Sequence, residues 1–167
     1  MSAVALRDGS WIALRPLEAS DRERLVRLFY RLSPETVYHR FLSPLHDPSD
    51  AGLDRLVDLD HNDREAIAAI WDGEVVGVAR YFRDRSAPTA DIAVLIEDGW
   101  QGRGLGAVLL EQLREIAAGR GIEGFTATIL SENRPAIGLV RKLFPHAILT
   151  LEGPELTALM PLGAWLP

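Results

Sequence analysis

The six residues Gln101-Gly102-Arg103-Gly104-Leu105-Gly106 carry the clearest chemistry in the chain. Three glycines in five positions leave no Cβ between the backbone and a ligand. An apolar run over residues 92–96 leads in, and an amphipathic stretch over 105–118 leads out. The pattern therefore reads as strand, glycine turn, helix. The amides of such a turn converge, and the helix behind it adds its positive end. That arrangement suits a phosphate or diphosphate.

Two other phosphate loops compete for these residues. A Walker A loop needs a lysine after its last glycine, and the one lysine of the chain is Lys142. A dinucleotide fingerprint is met formally by Gly102, Gly104 and Ala107. It needs an acid at the end of the next strand, where this chain has Ser131, with Glu123 at the other end. A glycine turn that merely caps a helix is the plain alternative. The pattern Gln/Arg-x-x-Gly-x-Gly/Ala is filled by Gln101, Gly104 and Gly106. In this form the turn resembles the acetyl-CoA-binding motif of the GNAT (Gcn5-related) N-acetyltransferase superfamily. The likeness continues through Asn133, Ala136, Leu139 and Phe144, which sit where that family's fourth-helix pattern places them. The order of elements agrees from Trp11 to about Leu162.

The resemblance implies acetyl-CoA as co-substrate, and no metal is expected from the residues themselves. It assigns Gln101, Gly102, Arg103, Gly104, Leu105 and Gly106 to the diphosphate. Val94, Leu95 and Ile96 become backbone contacts for the pantetheine arm, in a gap where the central strand and the next one splay apart. Asn133 matches a position that bonds the same arm, and it reads otherwise as a helix cap. The oxyanion donor is expected at the backbone amide of Leu95 or Ile96.

Amide formation from an amine and a thioester needs the amine to lose a proton. For a free lysine at pH 7.5 that costs about 4 kcal/mol. A positioned base or an apolar pocket lowers the cost, and holding both reactants in place supplies much of the rest. Asp91, at the head of the central strand, is the first candidate base. Many family members have Glu there, and Asp is one methylene shorter. Asp91 also reads as a polar residue opening a strand. Glu97, at the far end of the strand, is the second carboxylate, with a turn charge as its other reading. The family's usual acid is a Tyr one residue after the position of Leu139. This chain has Val140 there, so either the thiolate leaves unprotonated or another group serves.

Three segments narrow the likeness. Residues 31–41, 58–66 and 97–106 look like the catalytic domain of bacterial Pat-type protein lysine acetyltransferases. That implies a protein lysine as acceptor, with Tyr38, Arg40, Asp60 and His61 lining or shaping the acceptor cleft. Tyr38 reads otherwise as core, and His61 as a surface-loop residue. A small amine or amino acid as acceptor, and a non-catalytic acyl-CoA sensor, stay open.

These groups need a scaffold. Strands are expected at 11–16, 66–71, 75–81, 89–96, 125–130, 146–151 and 155–160, with residues 4–6 as a short hairpin partner. Helices are expected from a Ser20/Glu23 capping box, from Ser33-Pro34, over about 50–58, over 105–118 and over about 134–144. The sum is an α/β (α+β) fold, a central mixed sheet of about six to seven strands flanked by helices, in a single domain over residues 1–167.

Bulk properties set limits. The net charge of −6 disfavours non-specific nucleic-acid binding. No apolar run is long enough to span a membrane, and residues 1–4 lack a signal-peptide pattern, so the expectation is a cytoplasmic enzyme. The absence of cysteine excludes a thiolate metal site and a cysteine acyl-enzyme. No histidine pair has convincing metal-ligand spacing. Seventeen of the 18 basic residues are arginine, which reads as codon bias or as a lysine-modifying enzyme sparing itself. The acids between Asp47 and Glu65 form a solvated face or attract a cationic substrate. Oligomeric state stays open: dimers are common in similar proteins, so a homodimer is one option, and the chain offers no clean interface signal.

Overall fold

The structure, a computed structural model, describes residues 2–43, 45, 47, 49 and 52–163. Its strands are β1 (Ser2–Ala5), β2 (Trp11–Pro16), β3 (Arg64–Trp71), β4 (Glu74–Arg83), β5 (Thr89–Ile96), β6 (Gly124–Leu130), β7 (Ile148–Glu152) and β8 (Glu155–Pro161). The helices are α1 (Arg22–Arg31), α2 (Pro34–Phe41), α3 (Leu53–Val57), α4 (Leu105–Gly119) and α5 (Arg134–Leu143). One mixed sheet runs in the order β1-β2-β3-β4-β5-β6-β8-β7. Its eight strands exceed the expected six to seven because the hairpin partner β1 pairs fully with β2.

Alternation along the central strands sends side chains to two cores. Ile67, Ala69, Val76 and Tyr81 pack with Leu105, Leu109 and Leu113 of α4. Ala66, Ala68, Val75 and Val78 pack on the opposite face with Leu25 and Leu28 of α1 and Leu53 of α3. The β3–β4 turn, Asp72-Gly73, has positive φ at both residues (51° and 75°), the geometry that tight hairpins favour.

All neighbouring strands are antiparallel except β5 and β6. That parallel ladder holds only Thr89–Gly124, Ala90–Phe125 and Asp91–Thr126. Beyond Asp91 the two strands part. Residues 92–96 keep β4 on one side and present an open edge on the other.

The start of α1 departs from the expected Ser20/Glu23 box. A short 3-10 turn, Ala19–Asp21, comes first. Asp21 is fully buried, folds back to accept from the Glu18 amide at 2.9 Å, and takes both Arg15 Nη atoms at 2.7 Å. A paired buried carboxylate holds this entry instead of a serine cap. Helix α2 starts as expected, with Ser33 Oγ accepting from the Thr36 amide at 3.1 Å. The expected beginning of α3 at residues 50–51 lies outside the described residues. Among the described residues no helix is long and apolar enough to cross a membrane.

Candidate active site

The parting of β5 and β6 opens a cleft of about 760 Å³. Its walls are α2, the open edge of β5, the glycine loop with the start of α4, and α5. Val94, Leu95, Ile96, Gln101, Gly102, Gly104, Leu105, Gly106 and Asn133 all line it. The resemblance assigns these residues to the cofactor, and the fold brings them to one surface.

At one end the loop is built to present backbone. Gly102 and Gly104 have φ of +76° and +90°, a region costly for any residue with a Cβ. Among the described residues, the amides of Gly102, Arg103 and Gly104 have no backbone or side-chain acceptor. Gly104 then caps α4 without a side-chain bond, so the first turn of the helix adds further free N–H groups. A Cβ on Gly104 would come within 3.1 Å of Arg7 Nε, and one on Gly106 within 3.2 Å of Leu139 Cδ2. Free amides, a helix positive end and a basic neighbour together make an anion cradle.

Gln101 and Arg103 have side-chain duties elsewhere. Gln101 Nε2 donates to the Ile96 carbonyl at 3.0 Å and to Thr36 Oγ1 at 3.1 Å. Thr36 in turn donates to Asp98, which also accepts from the Ser33 amide. The loop, the end of β5 and α2 are thus tied together. Arg103 lies over the Trp100 ring at 4.5 Å and pairs with Asp8 at 3.3 Å. Arg103 itself lies outside the cleft lining, to which Arg7 and Lys142 contribute cationic residues.

Asp91 stands where β5 and β6 diverge, on the rim rather than in the lining. Thr126 Oγ1 donates to its carboxylate at 3.2 Å. Surrounding protein raises the Asp91 pKa above the ordinary carboxylate value, against the opposing pull of Thr126 and of the Arg40 charge. The side chain remains open to solvent. A carboxylate that is both accessible and partly desolvated has the properties of a general base.

Glu97 is placed differently. It pairs with Arg31, which also binds Glu74, itself held by Arg27. This chain of ions ties α1 to the strand ends, outside the cleft lining. Asn133 accepts from the Ala136 amide at 3.3 Å as the cap of α5 and also lines the cleft. The two readings of that residue are compatible. Val140 is buried in the core, so its position offers no proton donor.

Of the four acceptor-side residues, Arg40 lines the cleft. Tyr38 is exposed on α2, outside the lining. Asp60 accepts from the amides of Asn62 and Arg64 at 3.0 and 2.8 Å, shaping its own loop. Those bonds, the one from Arg64 foremost, hold its carboxyl below the ordinary value. His61 has φ of +54° and bonds the buried Glu65 at 2.8 Å. Asp60 and His61 therefore belong to the β3 approach and not to the cleft.

Sequence reasoning missed Arg7, Thr36, His39 and Lys142. His39 Nε2 lies 3.6 Å from Glu132 and 4.0 Å from Glu35, both also in the lining. No local pattern marks Arg7, which reaches the loop from a hairpin 95 residues away in the chain. His39 and Thr36 had a signal in the helical spacing of α2, which puts Thr36, His39 and Arg40 on adjacent positions of one face. Among the described residues no group of three or more His, Asp or Glu side chains is placed to hold a metal ion.

Comparison with known proteins fits this geometry. The profile of the Acetyltransferase (GNAT) family matches residues 25–144. An acetyltransferase of Pseudomonas aeruginosa is 37% identical over 134 residues, 78% of this chain and 72% of its own length. Acetyltransferase Pat of Mycolicibacterium smegmatis is 34% identical over 137 residues, and the match spans 40% of its length. The crystal structure of the GNAT domain of S. lividans PAT superposes with a TM-score of 0.88 at 30% identity, covering 96% of both chains.

Proposed function

The chain belongs to the Acetyltransferase (GNAT) family, and from that premise we propose that its acceptor is the side-chain amine of a protein lysine. The enzyme is an acyl-CoA-dependent N-acetyltransferase. Acetyl-CoA supplies the acyl group already activated as a thioester. One observation carries the reading of the site: the β5–β6 ladder ends at Asp91–Thr126, and the cleft so formed runs down to the free amides of the glycine loop.

Each part of the chain then has a task. The amides of Gly102, Arg103 and Gly104, with the first turn of α4 and Arg7, hold the diphosphate. The Glu97 N–H donates to the Val76 carbonyl, so alternation in the β4–β5 register turns the backbone groups of Leu95 to β4 and those of Val94 and Ile96 to the open edge. The Ile96 carbonyl is already taken by Gln101, which leaves Val94 and the Ile96 amide for the pantetheine arm and makes the Ile96 amide, rather than that of Leu95, the candidate oxyanion donor. Asp91 accepts the proton of the incoming ammonium. The acceptor amine needs help of this kind because its ordinary pKa is near 10.4. Val140 leaves no hydroxyl where the family's tyrosine stands, and His39, 3.6 Å from Glu132, is an imidazole in the same lining.

The lysine assignment is supported by the likeness of residues 31–41, 58–66 and 97–106 to Pat-type enzymes and by the similarity to the proteins named Pat and PAT. The test is incubation with acetyl-CoA and a cell lysate, read by acetyl-lysine mass spectrometry against a Gly104→Glu control. New acetyl-lysine sites absent from the control support a protein acceptor. CoA release with small amines, and no new acetyl-lysine, moves the acceptor to a small molecule.

A further inference from the structure

Arg40 of α2 and Arg80 of β4 border one small recess, about 30 Å³, beside Ala93 and Leu95 of β5. The rest of its wall is apolar, with Leu17, Leu25 and Val78 among the lining. Arg40 lines the large cleft as well, so it stands at the junction of the two. Other arginines here close on carboxylates: Arg15 on Asp21, Arg27 on Glu74, Arg83 on Asp63. Among the described residues, neither Arg40 nor Arg80 has a carboxylate within ion-pair distance. Arg80 donates to the Leu56 carbonyl at 3.3 Å, and Arg40 lies 4.6 Å from the centre of the Phe41 ring.

Two like charges beside an apolar recess are an unfavourable arrangement unless a counter-charge arrives. Burial first, and then the Arg40 charge, push the Arg80 pKa down to about 10. Burial likewise lowers that of Arg40, and the Asp91 charge partly offsets it. The recess holds about what a carboxylate group needs, a volume of two or so waters. Arginine is the residue best shaped to grip a carboxylate.

We propose that Arg40 and Arg80 form an anion subsite that binds a carboxylate carried by the acceptor molecule. The inference rests on the reading of this cleft as the site of acetyl transfer. With a carboxylate between the two guanidinium groups, an ammonium on the same molecule faces Asp91. The cleft is then complementary to a group of both charges. A free amino acid supplies that pattern through its α-carboxylate, and a peptide supplies it through an Asp or Glu beside the target lysine.

The experiment compares acceptors that differ only in the carboxylate. One arm measures CoA release with L-amino acids and with their amides. The other uses lysine peptides with Glu or Gln next to the lysine. The expected result is a preference of roughly 30-fold or more in kcat/KM for the carboxylate form in one arm, and which arm shows it names the source. Arg80→Gln and Arg40→Gln abolish the preference through KM for the acceptor, Arg80→Lys restores part of it, and KM for acetyl-CoA stays unchanged. A second readout does not need turnover. The guanidinium Nε–H signals of Arg40 and Arg80 are followed by NMR during titration with glycine, L-methionine or N-acetylglutamate, and with the matching amides. Saturable shifts with the acids alone support the subsite even if no amine releases CoA, in which case the transferase reading fails instead. Equal CoA release from acid and amide forms, or Arg signals that no acid moves, overturns the subsite and leaves the transferase intact.

Discussion

Asp91 and Thr126 are the last paired residues of β5 and β6, and the Thr126 hydroxyl donates to the Asp91 carboxylate at 3.2 Å. The bond anchors the carboxylate at the vertex of the cleft, where backbone pairing gives way to an open strand edge. The candidate base is thus fixed by the same feature that makes room for the donor.

Asp91→Asn keeps an acceptor for Thr126 and removes the base. Turnover falls by about 10²–10⁴-fold, with KM for acetyl-CoA unchanged. In the wild type the acid limb of the kcat/KM profile lies above the ordinary carboxylate range, because burial raises the Asp91 pKa, and in the variant that limb disappears. The sign for stability is opposite to that for activity. A carboxyl whose folded pKa is raised binds its proton more tightly in the folded state, so its contribution is lost as pH rises through the folded value. Asp91→Asn should therefore melt higher than the wild type at pH 7, and the difference should close at low pH.

Gly104→Ala places a Cβ at φ +90° and 3.1 Å from Arg7 Nε. The backbone term alone costs about 1–2 kcal/mol. KM for acetyl-CoA should rise about tenfold. Gly153→Ala is the control: φ is +61° with nothing within 4 Å of the added Cβ, so the same backbone penalty should lower Tm and leave KM alone. Titration of CoA by calorimetry on both variants checks this.

Gln101→Ala removes the two bonds that tie the loop to the Ile96 carbonyl and to Thr36. Each such bond contributes about 1 kcal/mol. Acetyl-CoA should bind roughly five- to tenfold more weakly, while the acceptor KM stays within about twofold. Steady-state kinetics with each substrate varied in turn makes the distinction.

Asp21→Ala leaves Arg15 without its partner and the Glu18 amide without its acceptor. The cost is about 3–5 kcal/mol, read as a lower urea midpoint with unchanged slope. The bonds from Arg15, opposed by burial, hold the Asp21 carboxyl below its ordinary value. A depressed carboxylate stabilises the fold above its unfolded pKa, near 3.9, and loses that contribution as pH falls through the lower folded value. The gap between wild type and variant should therefore be full at pH 6 and narrow toward pH 2.

Local sequence was enough wherever the signal was local. The glycines at 102, 104 and 106 predicted a loop of exposed amides, Ser33-Pro34 predicted α2, and the apolar alternation predicted the central strands. It failed where distant segments meet. Arg7 reaches Gly102 from the β1–β2 hairpin, and nothing near Arg7 marks it. Asp21 has no local mark within the Ser20/Glu23 pattern, because Arg15, its partner, sits on the preceding strand. Asp60 and His61 stood in a segment that resembles Pat-type enzymes, yet their bonds to Arg64 and Glu65 are with close neighbours in the chain. Arg80 was read simply as a strand residue, since only the fold, with α2 packed against β5, brings it to the same recess as Arg40.

The central claim is that the free amides after Gln101 take the diphosphate. A crystal structure of the protein with CoA tests it most directly. The account predicts diphosphate oxygens within hydrogen-bond distance of the main-chain nitrogens of Gly102, Arg103 and Gly104, with the pantetheine arm along the open edge of β5. CoA seated elsewhere, or bound in the cleft with those amides turned away from it, would contradict the account.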